Sequence, residues 1–364
     1  MPYVITPEEV SEALLGRGPT GAERAAHDGN LPALVRALAA GPGEGSGSAV
    51  LAGTPAAGAV HPVGSESPDG VARVGTDGWL CMVGDSNDSV AQATGTYPLE
   101  PGWAAAWEAL VAGHHALATR RGARVAHILI PDRMPVIRSR CCGLPPQQGP
   151  RPLELLRARL GSALAYPLGE LTAQWRAGDE AFFRTDSHIA GAAIWVCYRA
   201  ILAQLGLAHH AALEDRRWRP VLFWGDLGAA FAPRVVELIH FPADPLDYGL
   251  VEDDSERVFQ SGGHLGARRV TRCDTAPHDA TAVVFGDSFS WVHPPRPGGL
   301  GELLAATFRE THFVWTLCRA DPRYLERVGA DVVIFEMGER GAVAVPPSEI
   351  DVTRLAEETV NRSG

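Results

Sequence analysis

Ser288 lies in the run AVVFGDSFSW, where a buried-strand pattern ends at Phe285 and Gly286 permits a tight turn. A serine hydroxyl is a poor nucleophile at neutral pH and needs a base. Asp186-Ser187-His188 supplies one, together with an acid to orient it. The aspartate can hold the imidazole through one ring nitrogen and leave the other to take the serine proton. Taken alone, an Asp-x-His is as readily a helix-capping aspartate beside a surface histidine. Combined with the strand-then-Gly-Asp-Ser pattern downstream, it points to a Ser288, His188, Asp186 triad. If Ser288 opens a helix, the first free N–H groups of that helix would face an oxyanion formed there. A rival serine is Ser86 in Gly84-Asp85-Ser86-Asn87, but no Asp-x-x-His follows near the C-terminus to serve it. Asp274 and His278 are spaced one residue too far for that motif.

Further residues could line the same site. Asp85 and Asn87 flank the second Gly-Asp-Ser. Glu336 and Arg340, in Glu-Met-Gly-Glu-Arg after the last apolar run, could bind substrate or brace the triad, or could only close a turn as an ion pair. Arg184 lies two residues before Asp186 and is open to both readings. Trp291 is the tryptophan nearest the serine, and His293 is a second candidate base. The pairs His114-His115 and His209-His210 lack metal-ligand spacing and read as core or surface residues.

These residues need a scaffold that gathers them. Apolar runs over 79–83, 125–130, 221–224, 235–240, 282–285, 313–318 and 332–335 read as strands. Helical spacing covers 103–120, 153–163, 192–205, 299–309 and 324–328. Alternating strands and helices imply βαβ units and a mainly parallel sheet, with ligands at the carboxyl ends of the strands. Residues 1–45 read as a small helical segment, with a capping box at Thr6 and Glu9 and a helical pattern over 6–40. Residues 46–72 read as a Gly/Ala/Pro/Ser-rich linker, 73–352 as one catalytic domain and 353–364 as a tail. Residues 241–280 are the candidate for a closing lid.

Composition removes several classes of function. The 364 residues carry a net charge of −11. That balance argues against nucleic-acid binding, which needs clustered cations. All 32 basic residues are arginine, which excludes Schiff-base, pyridoxal-phosphate and P-loop lysine chemistry. The six cysteines form no C-x-x-C pair, so free thiols are the expectation and no metal or organic cofactor is implied. No secretory signal and no apolar run of about 18 residues is visible, so the expected setting is cytoplasmic, without membrane insertion.

Five stretches together resemble the SGNH-hydrolase-like domain of the alginate O-acetyltransferase family: DGWLCMVGDSND (77–88), ILIPDRMPVI (128–137), FFRTDSHIAGAA (182–193), VVFGDSFSW (283–291) and ADVVIFEMGERG (330–341). They span roughly residues 73–342. The resemblance implies a three-layer α/β/α fold in which the Asp-x-His precedes the serine, with Ser288 as nucleophile, His188 as base and Asp186 as its orienter. Two features depart from the family: Ile189 stands where members carry tryptophan, and no export signal is seen. The resemblance implies transfer of an acyl group, usually acetyl, to a glycan hydroxyl. Here that means an acyl donor of the acetyl-CoA or acylated-carrier kind and a hydroxyl acceptor on a glycan or glycosylated small metabolite. The alternatives are an esterase or deacetylase, in which water replaces the acceptor, and a non-catalytic glycan-binding protein with a relic triad.

Overall fold

The structure, a computed structural model, describes residues 49–53, 55–178, 181–214, 218–242, 246–260, 263–291 and 299–355. The expected N-terminal helices, His293 and the tail beyond residue 355 lie outside the described residues. The chain runs from strand β1 (Ala49–Leu51) through helix α1 (Pro55–Val60) to the hairpin β2 (Ala72–Val74) and β3 (Leu80–Met82). Helices α2 (Ser89–Thr94) and α3 (Trp103–Arg120) lead to strand β4 (Arg124–Ile130). Then follow α4 (Arg133–Ile137), α5 (Pro152–Leu160), α6 (Leu168–Ala177) and α7 (Gly191–Leu205). After β5 (Trp218–Phe223), α8 (Asp226–Ala229) and β6 (Arg234–Pro242) come β7 (Gly249–Asp253), α9 (Ser255–Gln260) and β8 (Arg268–Arg272). The chain closes with β9 (His278–Gly286), α10 (Leu300–Thr307), β10 (Phe308–Trp315), α11 (Pro322–Val328) and β11 (Val332–Gly338).

The main sheet has the spatial order β4-β11-β9-β10-β8-β7. Its first four strands are mutually parallel, and β8 and β7 add an antiparallel edge. Strand side chains alternate between faces, and the apolar residues sort accordingly. Ala282, Val284, Val332 and Ile334 pack with α7, α10 and α6 residues such as Ile201, Leu304 and Leu171. Val283, Phe285, Val333 and Phe335 pack with residues of α3, α5 and α11, among them Trp107, Leu156 and Leu325. Each such buried aliphatic or aromatic side chain contributes about 1.5–3 kcal/mol relative to exposure. In α3, Trp103, Trp107, Leu110, Val111, Leu117 and Ala118 are buried at three- and four-residue spacing, and the helix stops just before Gly122, which has φ +68°.

A smaller sheet, β1-β6-β5, and the β2-β3 hairpin lie apart from the main one. Their apolar residues Ala52, Val74, Leu80 and Val235 pack with Leu227 and Phe231. The stretch read as a linker is therefore partly structured: β1 pairs in parallel with β6, Val50 opposite Val235. Residues 241–280 are the segment expected to close as a lid. Their described part is mostly β7, α9 and β8, which extend the main sheet because β8 pairs with β10. The helix expected over 299–309 ends at Thr307, where buried Phe308 starts β10 against His278 of β9.

The free-thiol expectation fails at two cysteines. Cys81 at the centre of β3 is disulfide-bonded to Cys141, 60 residues later, whereas Cys142, Cys197, Cys273 and Cys318 are free. Among the described residues, no helix is long and apolar enough to cross a membrane.

Candidate active site

Ser288 follows the carboxyl end of β9, on a turn over residues 288–290. No helix begins there, in contrast to the sequence expectation; the next described helix is α10 at Leu300. Gly286 has a steric reason to be glycine and needs no unusual φ. A Cβ there would come within 2.6 Å of Glu336 Oε2 and 3.0 Å of the Phe313 ring. Asp287 fixes the turn: its carboxylate accepts from Phe289 N–H at 2.9 Å and from Gly338 N–H at 2.8 Å. Asp287 N–H donates to Glu336 Oε2 at 3.1 Å. The Ser288 loop is thereby tied to the end of β11.

The Asp186–His188 segment forms the tip of a loop closed by a bridge between Phe182 and Ile189. Ile189 is 3% exposed and helps close the loop from the core side. The smaller sheet holds this tip. Glu237 of β6 accepts the N–H groups of Arg184 and Thr185 at 2.8 and 2.7 Å and the Thr185 hydroxyl at 2.6 Å. Burial pushes the Glu237 carboxyl up, and these hydrogen bonds pull it back down. Gly228 N–H donates to Thr185 O at 2.8 Å, and Leu80 N–H to Arg184 O at 3.0 Å. Gly225 approaches so closely that a Cβ would lie 2.2 Å from Asp186 Cβ. The buried Arg133 guanidinium donates to Asp186 O. Burial lowers its pKa to about 10 while the surrounding carboxylates support its charge, so it remains cationic at neutral pH.

The two segments meet at the imidazole. His188 Nδ1 lies 2.7 Å from Asp186 Oδ1, and His188 Nε2 lies 2.8 Å from Ser288 Oγ. Asp186 is fully buried and the His188 side chain is 13% exposed, so the hydroxyl end of this line is the one nearer solvent. Asp186 Oδ1 also accepts His188 N–H at 2.9 Å. The Phe289 ring packs on the His188 ring at 4.7 Å between centroids. A carboxylate, an imidazole and a hydroxyl in this order can pass the serine proton to His188 and stabilise the resulting imidazolium.

The other expected residues separate by position. Arg340 donates to Ser187 Oγ at 3.2 Å and to Ser187 O at 3.4 Å, and its guanidinium lies 5.3 Å over the Phe289 ring. It touches both the Asp186–His188 loop and the Ser288 turn. Glu336 is fully buried in β11; burial and the neighbouring Asp287 push its carboxyl well up. From there it braces the Ser288 loop, the second of its two expected roles, by accepting Asp287 N–H. Trp291, also expected to bind substrate, lies in the core beside the Ser288 turn. It is 6% exposed, packs on Phe313 at 4.8 Å, and carries the Arg269 guanidinium over its ring at 4.7 Å. Asp85 caps its own turn, accepting from Asn87 and Ser89 N–H at 3.1 and 3.0 Å. Asn87 O accepts from Gln92, which also donates to Arg340 O, so this loop abuts the arginine brace. Arg184 lines a surface cleft of about 290 Å³ with Trp79 and Trp175. Among the described residues, no histidine is hydrogen-bonded to Ser86.

Asp226 escaped the sequence reading. It accepts Ser187 N–H at 2.7 Å and the Ser187 hydroxyl at 2.5 Å, and lies 3.9 Å from His188 Nδ1. A signal existed: Gly225-Asp226 follows an apolar run, as Gly84-Asp85 and Gly286-Asp287 do. Among the described residues, Asp186, His188 and Asp226 form the group whose donor atoms, all within 4.8 Å, could hold a metal ion. Each of these is already engaged by the contacts above.

No family description and no curated protein matches this chain. Solved structures similar to it include PatB1 of Bacillus cereus carrying a sulfonyl adduct, 11% identical over 78% of this chain and 98% of that one, with a TM-score of 0.49. A DHHW family protein from Eubacterium siraeum is 11% identical over 82% of this chain and 98% of that one, with a TM-score of 0.47. The O-acetyltransferase domain of AlgJ from Pseudomonas putida is 15% identical over 79% of this chain and 99% of that one, with a TM-score of 0.42.

Proposed function

We propose that this chain is a serine-dependent O-acyltransferase that moves an acyl group, typically acetyl, onto a hydroxyl of a glycan or glycosylated metabolite. The observation that carries the reading is the line Asp186–His188–Ser288, with contacts of 2.7 and 2.8 Å. His188 Nε2 takes the proton from Ser288 Oγ as that oxygen attacks the acyl carbonyl of a donor such as acetyl-CoA or an acylated carrier. The tetrahedral intermediate collapses, the donor's thiol or alcohol leaves with the proton from His188, and Ser288 is left as an ester. The acceptor hydroxyl then gives its proton to His188 and attacks the ester carbonyl. Ser288 departs and recovers that proton. Asp186, dry and hydrogen-bonded to Nδ1, stabilises the imidazolium in both half-reactions. Arg340, Asp226 and Glu237 act by holding the segments that carry these groups.

The two apolar clusters on opposite faces of the parallel strands support the α/β/α arrangement expected for such an enzyme. The Cys81–Cys141 bond favours an oxidising compartment over the cytoplasmic setting expected from the sequence, because reducing cytosol rarely preserves disulfides. The test is intact-mass and peptide mapping after incubation with p-nitrophenyl acetate. An acetyl group on Ser288, passed to an added sugar, is the expected result. Acetyl groups that never leave Ser288 except to water would reduce the activity to an esterase. Absence of any adduct and of any turnover would overturn the enzymatic reading.

A further inference from the structure

Two carboxylates lie near His188 Nδ1, and the triad accounts for one of them. Asp186 Oδ1 is 2.7 Å away and Asp226 Oδ2 is 3.9 Å away. The two acids sit in different surroundings. The Asp186 side chain is fully buried, whereas that of Asp226 is 43% exposed. They also come from separate parts of the chain, Asp186 from the loop tip and Asp226 from the first residue of α8. Gly225 permits the meeting, since a Cβ there would lie 2.2 Å from Asp186 Cβ. Both oxygens of Asp226 are pinned. Oδ1 accepts Ser187 N–H at 2.7 Å and Leu227 N–H at 2.9 Å. Oδ2 accepts the Ser187 hydroxyl at 2.5 Å. That hydroxyl has one proton, and Asp226 takes it. The Ser187 oxygen is then left to accept from Arg340 Nη2 at 3.2 Å, with His188 Nδ1 at 3.4 Å. The main chain adds a further link, because Asp226 N–H donates to Asp186 Oδ2 at 3.3 Å. An aspartate that only capped its own turn would need the Leu227 contact and no other. The remaining contacts run to the loop that carries the base.

We propose that Asp226 is a second acid of the site, a positioning residue that acts through His188 by stabilising the imidazolium formed when Ser288 gives up its proton. This role goes beyond holding the loop, and it rests on the serine mechanism proposed above. An anion about 4 Å from a developing cation is favourable in water and more so in a drier medium. The partial exposure of Asp226 keeps the effect near the watery end of that range. In rate it corresponds to roughly tenfold, against about 10⁴-fold for a buried orienting acid such as Asp186.

The other charged groups around the loop come from every element packed on it. Arg184 is on the loop itself. Arg133 of α4 donates to Asp186 O, and Glu237 of β6 accepts the N–H groups of Arg184 and Thr185. Arg340, beyond β11, reaches Ser187. Asp287, next to Ser288, accepts Gly338 N–H. All of them are unchanged by a substitution at Asp226, so a change in the behaviour of the imidazole reports the Asp226 charge.

The test compares the full chain with Asp226→Asn, which keeps the shape and an acceptor for Ser187 N–H and removes the charge. The first reading needs no turnover. It is an NMR titration of the His188 ring, assigned by its loss in His188→Gln. Losing a nearby anion disfavours the charged ring, so the ring of Asp226→Asn is expected to titrate about half to one pH unit lower than in the wild type. The second reading is the rate of Ser288 acetylation by p-nitrophenyl acetate across pH. Its plateau is expected to fall about tenfold and its acid limb to move lower with the ring, and Asp226→Glu to recover most of the plateau. A merely structural role would lower the plateau and leave the titration in place, and that result would overturn the proposal. An unchanged rate in Asp226→Asn would do the same. Both readings are repeated with EDTA, because Asp186, His188 and Asp226 could together hold a metal ion; a wild-type rate that collapses with the chelator would also overturn it. If Asp226→Asn proves misfolded by circular dichroism, Asp226→Ser carries the same readings. Acetyl-Ser288 formed at equal rates with an unshifted titration removes the role of Asp226 and keeps the serine enzyme. A shifted titration without any acetylation upholds the coupling of Asp226 to His188 and removes the serine chemistry.

Discussion

His188 and His114 are the same residue type in opposite surroundings. His188 is part-buried between a buried carboxylate and a hydroxyl, at 2.7 and 2.8 Å. His114 lies on the inner side of α3, its ring stacked on Phe335 at 3.7 Å, with His127 Nε2 at 3.0 Å and Ser348 O at 3.4 Å as its polar neighbours. Burial lowers the pKa of His114 to about 4 and holds His127 well below its usual value. A neutral imidazole packed on a phenyl ring serves as a core residue with a polar edge. An imidazole with a carboxylate behind it and a hydroxyl in front can shuttle protons. The neighbours, and not the residue type, decide which job the ring has.

If that contrast is right, the largest effects fall at the His188 ring and its hydroxyl partner. Ser288→Ala and His188→Ala should each lower the rate of acetyl-ester cleavage by at least ~10⁴-fold; a loss below tenfold would place the chemistry elsewhere. Gly225→Ala should come next. Its new methyl group must displace Asp186, and misplacement of a catalytic group by about 1 Å costs on the order of 10²-fold. Steady-state kinetics on the purified variant would show it.

His114→Gln should leave that rate within a few fold and act instead on acid stability. A folded pKa of about 4 against 6.5 unfolded means that the native state binds fewer protons in this range. The contribution of His114 is then complete above pH 6.5 and is lost as pH falls toward 4. Relative to the variant, the wild type should lose about 2–3 kcal/mol between pH 7 and 4.5, read from urea midpoints at each pH. Equal losses in both would put the charge elsewhere. Glu336→Gln should do least, changing stability at pH 7 by no more than about 1 kcal/mol, because burial and the neighbouring Asp287 favour the neutral carboxyl and an amide has similar shape. A loss of several kcal/mol would mean that it is ionised.

The strands that carry the site were readable because they are buried on both faces. β9 and β11 hold the apolar runs 282–285 and 332–335, and that of β4, 125–130, is broken only by His127; the second Gly-Asp-Ser motif follows the end of β9. β7 and β8 were not readable for the complementary reason. Leu250 and Val251 of β7 are more than half exposed, and β8 reads Arg-Arg-Val-Thr-Arg, so neither shows the signature of a core strand. The Cys81–Cys141 pair could not be derived from spacing, since any two of six cysteines could pair. The Trp79–Trp175 cleft is assembled from segments nearly a hundred residues apart, and local pattern carries no information about such meetings. Asp226 and Glu237 act through the Asp186 loop by tertiary contact alone. The helix expected at Ser288 failed because a strand-turn pattern does not determine the element after the turn.

The hydroxyl of Ser288 and the imidazole of His188 come from positions 100 residues apart. The chain between them contributes α7, the smaller sheet's β5 and β6, and two edge strands. A nascent or half-assembled polypeptide therefore exposes an inert alcohol and an idle ring, and reactivity switches on only when the entire intervening stretch has docked. Turnover in such a molecule doubles as a reporter of the completed architecture, and a chain cut within that stretch would regain it only when both pieces recombine.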